Sequence, residues 1–100
     1  MWARVTTVQG DPDKLDSMLD DLTNQVMPQV RELRDQGYRG MYVLTDRASG
    51  RSLTMTLWDS EESLRASEDR ANAIRSGAVE RTGEQLVGVE RFEVALHDGA

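Results

Sequence analysis

The sequence predicts an α+β fold in which a four-stranded antiparallel sheet carries two helices on one face. The first observation is the order of the patterns: four short runs rich in β-branched and aromatic residues alternate with two stretches of helical period as β-α-β-β-α-β. The second is a short link ending in glycine between the second and third runs, which predicts a hairpin. The third is the length, because 100 residues suffice for one two-layer core. Together they predict the split β-α-β, or ferredoxin-like, pattern as a single domain over 1–96 with a tail at 97–100.

The first half of the chain predicts one strand and one long helix. Met1 to Gln9 is rich in β-branched residues and predicts the first strand. Asp11 then caps a helix of about 24 residues whose first position is Pro12. Apolar residues spaced three or four apart give this helix a buried stripe: Leu15, Leu19, Leu22, Val26, Val30 and Leu33. Pro28 lies inside the stripe and predicts a kink or a split, and Gly37 ends the helix.

The second half begins with the hairpin. Arg39 to Asp46 and Arg51 to Trp58 predict two antiparallel strands, with Gly50 at a positive φ angle in the turn between them. Asp59 and Ser60 are the two alternatives for the N-cap of the second helix.

The second helix is expected to run without a break to Gly83, and the last strand covers Leu86 to Ala95. The inner face of this helix is made of small residues: Ser67, Ala71 and Ala78. Two interpretations are open, a helix packed closely against the sheet and a helix that stands off and leaves a cavity. We favour close packing, because large residues on the facing strands could fill the space.

Composition excludes several classes of function. The 18 acidic and 12 basic side chains give a net charge of −6, and no block of Lys or Arg occurs, so we expect neither nucleic acid nor membrane as a partner. The chain has no cysteine and one histidine, His97, so we predict no metal site, no thiolate nucleophile and no cofactor. No apolar run approaches a membrane span and no signal-peptide pattern opens the chain, which favours a cytoplasmic protein.

The strands also predict how the chain associates. Several offer apolar residues at both alternating positions, so the sheet face away from the helices needs a cover, and a second copy of the same face is the simplest one. We therefore expect a homodimer. Three interpretations are open for the charged residues inside the first and last strands, Arg4, Glu90, Arg91 and Glu93: ion pairs between subunits, ion pairs across strands, or a charge at the mouth of the pocket. We favour ion pairs between subunits.

Four segments carry a resemblance to a known family: Gln36 to Gly40, Asp46 to Arg51, Leu57 to Leu64 and Val89 to Val94. In this arrangement they resemble the dimeric α+β barrel proteins of the antibiotic-biosynthesis-monooxygenase type. The most specific segment is the Trp-Asp-Ser-Glu-Glu run that starts at Trp58. The resemblance implies a two-fold dimer of ferredoxin-like subunits, each with a pocket between helices and sheet. It does not determine the function, because members of the family include cofactor-independent oxygenases, haem-degrading enzymes and proteins of no known activity.

The departures from the family pattern reduce the number of functions that the resemblance implies. Haem-degrading members are similar in fold and carry an asparagine on the first strand, then a tryptophan and an iron-ligating histidine on the second helix. In this sequence Ala3, Ser67 and approximately Gly77 take those positions, so haem degradation is disfavoured. Ser67 also stands where many members have a histidine base.

The candidate site combines these inferences. We expect Trp58 and Tyr42 to contact a substrate and Ser67 and Ala71 to shape its pocket, although Trp58 is more simply a packing residue. The function predicted is the binding of a small apolar or aromatic molecule by a homodimer, with cofactor-independent monooxygenation as the enzymatic form of this hypothesis. The alternative is a non-catalytic dimerisation or ligand-sensing module of the same fold.

Overall fold

The predicted sheet is present. A computed structural model describes residues 1–99 and contains one four-stranded antiparallel sheet in the order β2-β3-β1-β4. The strands are β1 (Trp2–Gln9), β2 (Tyr38–Asp46), β3 (Arg51–Trp58) and β4 (Gln85–Glu93). The α+β class and the β-α-β-β-α-β order are therefore confirmed. The last residue of the predicted tail, Ala100, lies outside the described residues.

Each outer strand contains one extra residue. On β2 the pairing with β3 shifts between Tyr38 and Gly40, which leaves Arg39 as the bulge. On β4 the pairing with β1 shifts at Val87, between the partners of Thr7 and Val8. The β2 bulge changes which residues face the helices, because Tyr38 and Met41, three residues apart, both contribute to the core side.

The first helical region is interrupted, as Pro28 predicted. It consists of α1 (Leu15–Asp21), a π-helical segment (Leu22–Val26) and α2 (Met27–Arg31), flanked by short 3-10 turns. Pro28 has no amide to donate to Asn24, and the amide of Met27 instead donates to the carbonyl of Leu22, five residues back. The region ends at Gly37, whose φ of 104° suits glycine.

The second helix corrects one prediction, because it is not continuous. It divides at Ser67 into α3 (Glu61–Ala66) and α4 (Glu68–Thr82). The Ser67 hydroxyl donates to the Leu64 carbonyl at 2.8 Å, in competition with the ordinary helical bonds. Of the two alternatives for the N-cap, Ser60 is the cap, since its hydroxyl accepts the amide of Ser63 at 3.1 Å.

The core lies between the helices and one face of the sheet. Its buried members come from both helical regions and from two strands: Val26, Val30, Leu33, Tyr38, Trp58, Leu64 and Ile74. Trp58 is completely buried and meets Tyr38 edge to face, with ring centroids 5.8 Å apart. The packing interpretation of Trp58 is thereby supported.

The opposite face of the sheet, which we call the open face, has no cover within residues 1–99. Tyr42, Leu44 and Phe92 are each about half exposed there. The intervening β3 residues Leu53, Met55 and Leu57 are only partly buried. A broad apolar surface of this kind is typical of a protein interface.

The turn before β3 provides a stability prediction. Gly50 (φ 81°) and Gly83 (φ 73°) are both left-handed, but an added Cβ at Gly50 would collide with the backbone of Gly10 and Pro12, whereas Gly83 faces open space. We expect Gly83→Ala to cost about 1 kcal/mol for the φ angle alone, and Gly50→Ala to cost at least about twice that. Urea unfolding of both variants measures the difference. Equal losses would show that the backbone contact at Gly50 contributes nothing.

Candidate functional site

A cavity lies between the helices and the inner face of the sheet. Its volume is about 90 Å³. The helices form an apolar wall that includes Val26, Val30, Ile74 and Ala78. The sheet forms the other wall and contributes a row of threonines: Thr6, Thr54 and Thr56. This volume exceeds what one water needs and is smaller than the roughly 150 Å³ that holds benzene or the roughly 300 Å³ of a drug-sized ligand. The interior therefore has room for a compact molecule, and the helix stands off the sheet more than we expected.

The structure separates the four predicted site residues. Trp58 and Ala71 line the cavity. Ser67 is buried beside it and is engaged in hydrogen bonds to its own helix and to Arg4. Tyr42 is 54% exposed on the open face, because the bulge at Arg39 turns Met41 inward in its place. Tyr42 thus belongs to the open face and is removed from the list of cavity residues.

Trp58 has no free polar group to offer. Its indole Nε1–H donates to the Thr56 hydroxyl at 3.0 Å, and the guanidinium of Arg4 lies 5.5 Å from the centroid of its ring. Since the whole side chain is inaccessible to solvent, its contribution to the cavity is an apolar edge held in one position.

One end of the cavity is defined by a buried arginine. Arg4, in the middle of β1, is only 3% exposed, and its Nη2 donates to the Leu64 carbonyl, the Ser67 hydroxyl and the Glu68 carboxylate at 2.9 to 3.0 Å. Glu68 also accepts two bonds from Arg91, at 2.7 and 2.6 Å. The predicted pairing of Arg4 and Arg91 between subunits is therefore corrected, because both arginines pair with Glu68 inside one chain.

The charges at this end perturb one another. The hydrogen bonds from Arg91, together with those from Arg4, lower the pKa of Glu68 to about 2. Arg75 of α4 lines the same end of the cavity, and burial, reinforced by the positive charge of Arg4, lowers its pKa. Sequence reasoning gave Arg75 no role in the pocket. For Arg4, a charged residue inside a β-branched run, it left a place at the pocket mouth open as an alternative to pairing between subunits.

A carboxyl group occupies another part of the cavity wall. Glu84, just after the end of α4, accepts a bond from the Thr82 hydroxyl at 3.1 Å, while its Oε2 is buried without a partner. Burial raises the pKa of Glu84, and the nearby Asp21 carboxylate adds to the rise. The sequence carried no signal for this residue, because it follows a helix-ending glycine in a polar stretch.

A second depression adjoins this cavity near the start of α1 and the end of α4, and the two share Met18, Asp21, Thr82 and Glu84. It measures about 470 Å³ and is lined mainly by polar and charged groups, among them Lys14 and the Asp21–Arg81 ion pair at 2.7 Å. Within residues 1–99 no group of three or more His, Cys, Asp or Glu side chains could hold a metal ion. In the same stretch, none of the helices has the length and apolar character needed to span a bilayer.

Comparison with known sequences finds relatives in Mycobacterium tuberculosis. The uncharacterized protein Rv2558 is 32% identical over 110 aligned positions, and the uncharacterized protein Rv2557 is 30% identical over 95. The alignments include 100% and 95% of this chain but 44% and 41% of those proteins, so the chain spans less than half the length of the curated relatives it matches. No protein-family model matches the chain.

Comparison with solved structures confirms the fold resemblance. A dimeric ferredoxin-like protein from an uncultured marine organism has a TM-score of 0.75 at 10% identity, covering 97% of each chain. An antibiotic biosynthesis monooxygenase has a TM-score of 0.61 at 13% identity, covering 96% of this chain and 100% of its own. An MhuD variant crystallised with two manganese protoporphyrin IX molecules per active site has a TM-score of 0.68 at 20% identity, covering all of both chains. Identities this low show the fold alone.

The ion pairs that Glu68 forms with the buried Arg4 and the partly exposed Arg91 predict a pH-dependent stability. Because the pKa of Glu68 in the folded protein, about 2, lies below its ordinary value of 4.5, its ionised form stabilises the fold fully above about pH 5. That contribution is lost as the pH falls from 4.5 towards 2. We expect Glu68→Gln to lower the free energy of unfolding at pH 7 by about 2 kcal/mol, and by much less at pH 2.5.

The control for this experiment is Glu61→Gln, which removes an exposed carboxylate paired with Arg65 on α3. We expect it to change stability by less than about 0.5 kcal/mol. Chemical unfolding between pH 2.5 and 7 tests both variants. A Glu68→Gln loss that does not vary with pH would contradict the assigned role of the carboxylate.

Proposed function

We propose that this chain is a homodimeric module that binds a small molecule in the cavity between its helices and its sheet. The observation that carries the proposal is the cavity itself, an apolar chamber of about 90 Å³ whose wall includes two residues with unsatisfied buried polar atoms, Arg4 Nε and Glu84 Oε2. A purely structural core of this size would gain stability by filling the space and pairing those atoms. Their retention supports a binding role.

Self-association through the open face is the second part of the proposal. Tyr42, Leu44 and Phe92 expose apolar surface that a second copy of the same face would cover around a two-fold axis. The solved structure with a TM-score of 0.75 is a dimeric ferredoxin-like protein, which supports the same arrangement here. With the open faces buried against each other, both cavities would lie on the outer sides of the paired sheets, one in each subunit.

Monooxygenase activity without a cofactor is the finer form of this hypothesis. It would require a group to accept a proton from the substrate before the substrate reduces oxygen, and Glu84 is the carboxylate with a raised pKa in the cavity wall. An aromatic substrate would require the wall to move, since the cavity is smaller than the roughly 150 Å³ that holds benzene. The dimensions therefore favour the binding of a compact ligand over oxygenation of an aromatic one.

The oligomeric proposal is tested by placing charge on the open face. We expect the parent chain, of 11.2 kDa, to run at twice that mass in sedimentation analysis, and Tyr42→Glu combined with Leu44→Glu to run as a monomer, because like charges would meet across the two-fold axis. Ala73→Glu adds charge on the exposed side of α4 and should stay dimeric. A parent chain that is monomeric at micromolar concentration would refute the dimer.

The binding proposal is tested by filling the cavity. Ala71 lines it, so Ala71→Leu places about 80 Å³ of extra side chain in a space of about 90 Å³ and should abolish binding while keeping or raising stability. Native mass spectrometry of the freshly purified protein is expected to show a bound small mass in the parent and none in Ala71→Leu. Ala73→Leu, on the exposed side of the same helix, should retain it. A bare parent protein would support the non-catalytic dimerisation module instead.

A further inference from the structure

The donors of Arg4 are only partly used. All three of its hydrogen bonds leave from Nη2, and its Nε–H is buried without a partner. A guanidinium carries five N–H donors and stays protonated. Because the Arg4 side chain is 97% buried, its remaining donors have little access to bulk water. Leaving a charged donor unsatisfied in this way is costly unless a ligand completes it.

Positive charge is in excess at the same end of the cavity. Arg4, Arg75 and Arg91 surround the single carboxylate of Glu68, which is already bonded to Arg4 and Arg91. Arg75 lines the cavity and has no carboxylate bonded to it; its guanidinium donates to the side-chain oxygen of Asn72. At this end three cations face one carboxylate, which favours a further negative charge there, whereas the two carboxylates that line the cavity, Asp21 and Glu84, lie near the end of α4.

We propose that the cavity binds a small monoanion, with its anionic oxygen between Arg4 and Arg75 and its apolar part against Ile74 and Ala78. This inference rests on the proposed function and specifies its ligand as a short-chain carboxylate or an enolate of similar size. Guanidinium groups recognise such oxygens through short, charge-assisted hydrogen bonds. A volume of about 90 Å³ accommodates roughly three to five non-hydrogen atoms, which matches a chain as short as propionate.

The charge of the whole chain makes this recognition selective. The protein carries a net charge of −6, so its general surface repels anions and the arginine end of the cavity is a local exception. Trp58 helps to fix the position of the Arg4 guanidinium, because the Trp58 ring contacts it and is itself packed against Tyr38. A ligand without a negative charge would gain the apolar contacts alone.

The test is a titration of the 100-residue chain with propionate and with its neutral analogue propionamide, followed by the methyl resonances of Ile74 and Ala78. We expect propionate to shift them with an affinity at least about tenfold higher than propionamide, since charge-assisted bonds contribute about 1.5 kcal/mol or more. Arg75→Gln should weaken propionate about tenfold and leave propionamide unchanged.

Two controls keep the result interpretable. Arg70→Gln removes an exposed arginine of the same helix, paired with Glu32, and should change propionate affinity less than about twofold. Arg4→Lys tests the buried arginine directly. If Arg4→Lys does not fold, Arg75→Gln alone tests the anion site. Equal binding of both probes would overturn the anion site and leave small-molecule binding intact. Binding of neither probe would also overturn the anion site, and the bound mass in the native spectrum then decides between small-molecule binding and the non-catalytic module.

Discussion

The contacts of one guanidinium hold the parts of this fold together. Arg4 sits in the central region of the sheet and bonds to the end of α3, to the residue between α3 and α4, and through Glu68 to Arg91 on β4. A charge buried to this degree is tolerated only when its surroundings are arranged around it. The division of the second helix is part of that arrangement, because the Leu64 carbonyl and the Ser67 hydroxyl are turned to the guanidinium and withdrawn from a regular helix.

The cavity follows from the same arrangement. With Arg4 and the threonines on the sheet side and small residues such as Ala71 and Ala78 on α4, neither wall supplies enough side chain to fill the space between them. Within residues 1–99, two of the three buried polar atoms without partners, Arg4 Nε and Glu84 Oε2, belong to residues of the cavity wall, and the third, Ser52 Oγ, lies outside it. A bound molecule could satisfy the two in the wall, which links the packing of the fold to its proposed use. The enclosure is small, which makes charge more important than shape for distinguishing ligands.

Local patterns in the sequence predicted the strands, the hairpin with Gly50 and the interruption at Pro28. Two of the four residues proposed for the site, Trp58 and Ala71, line the cavity. The features that local patterns could not predict depend on contacts between residues far apart in the sequence. The break at Ser67 lies where the Ser67 hydroxyl also accepts a bond from an arginine 63 positions away. The inward position of Met41 in place of Tyr42 depends on a bulge at Arg39, just before an unbroken apolar run. Glu84 belongs to the cavity wall only through its burial after the end of α4, and a glutamate after a glycine carries no distinctive pattern in the sequence.

The two bulges also determine what this sheet can join. A regular outer strand exposes a row of free amides and carbonyls that can recruit further strands, which leads to open-ended polymerisation. In this sheet both outer strands are irregular, β2 at Arg39 and β4 at Val87, and β4 continues with alternating charges at Glu90, Arg91 and Glu93. Growth by strand addition is therefore obstructed at both margins while the apolar face remains available. Such a sheet is suited to a closed assembly of defined size and resists elongation into fibres.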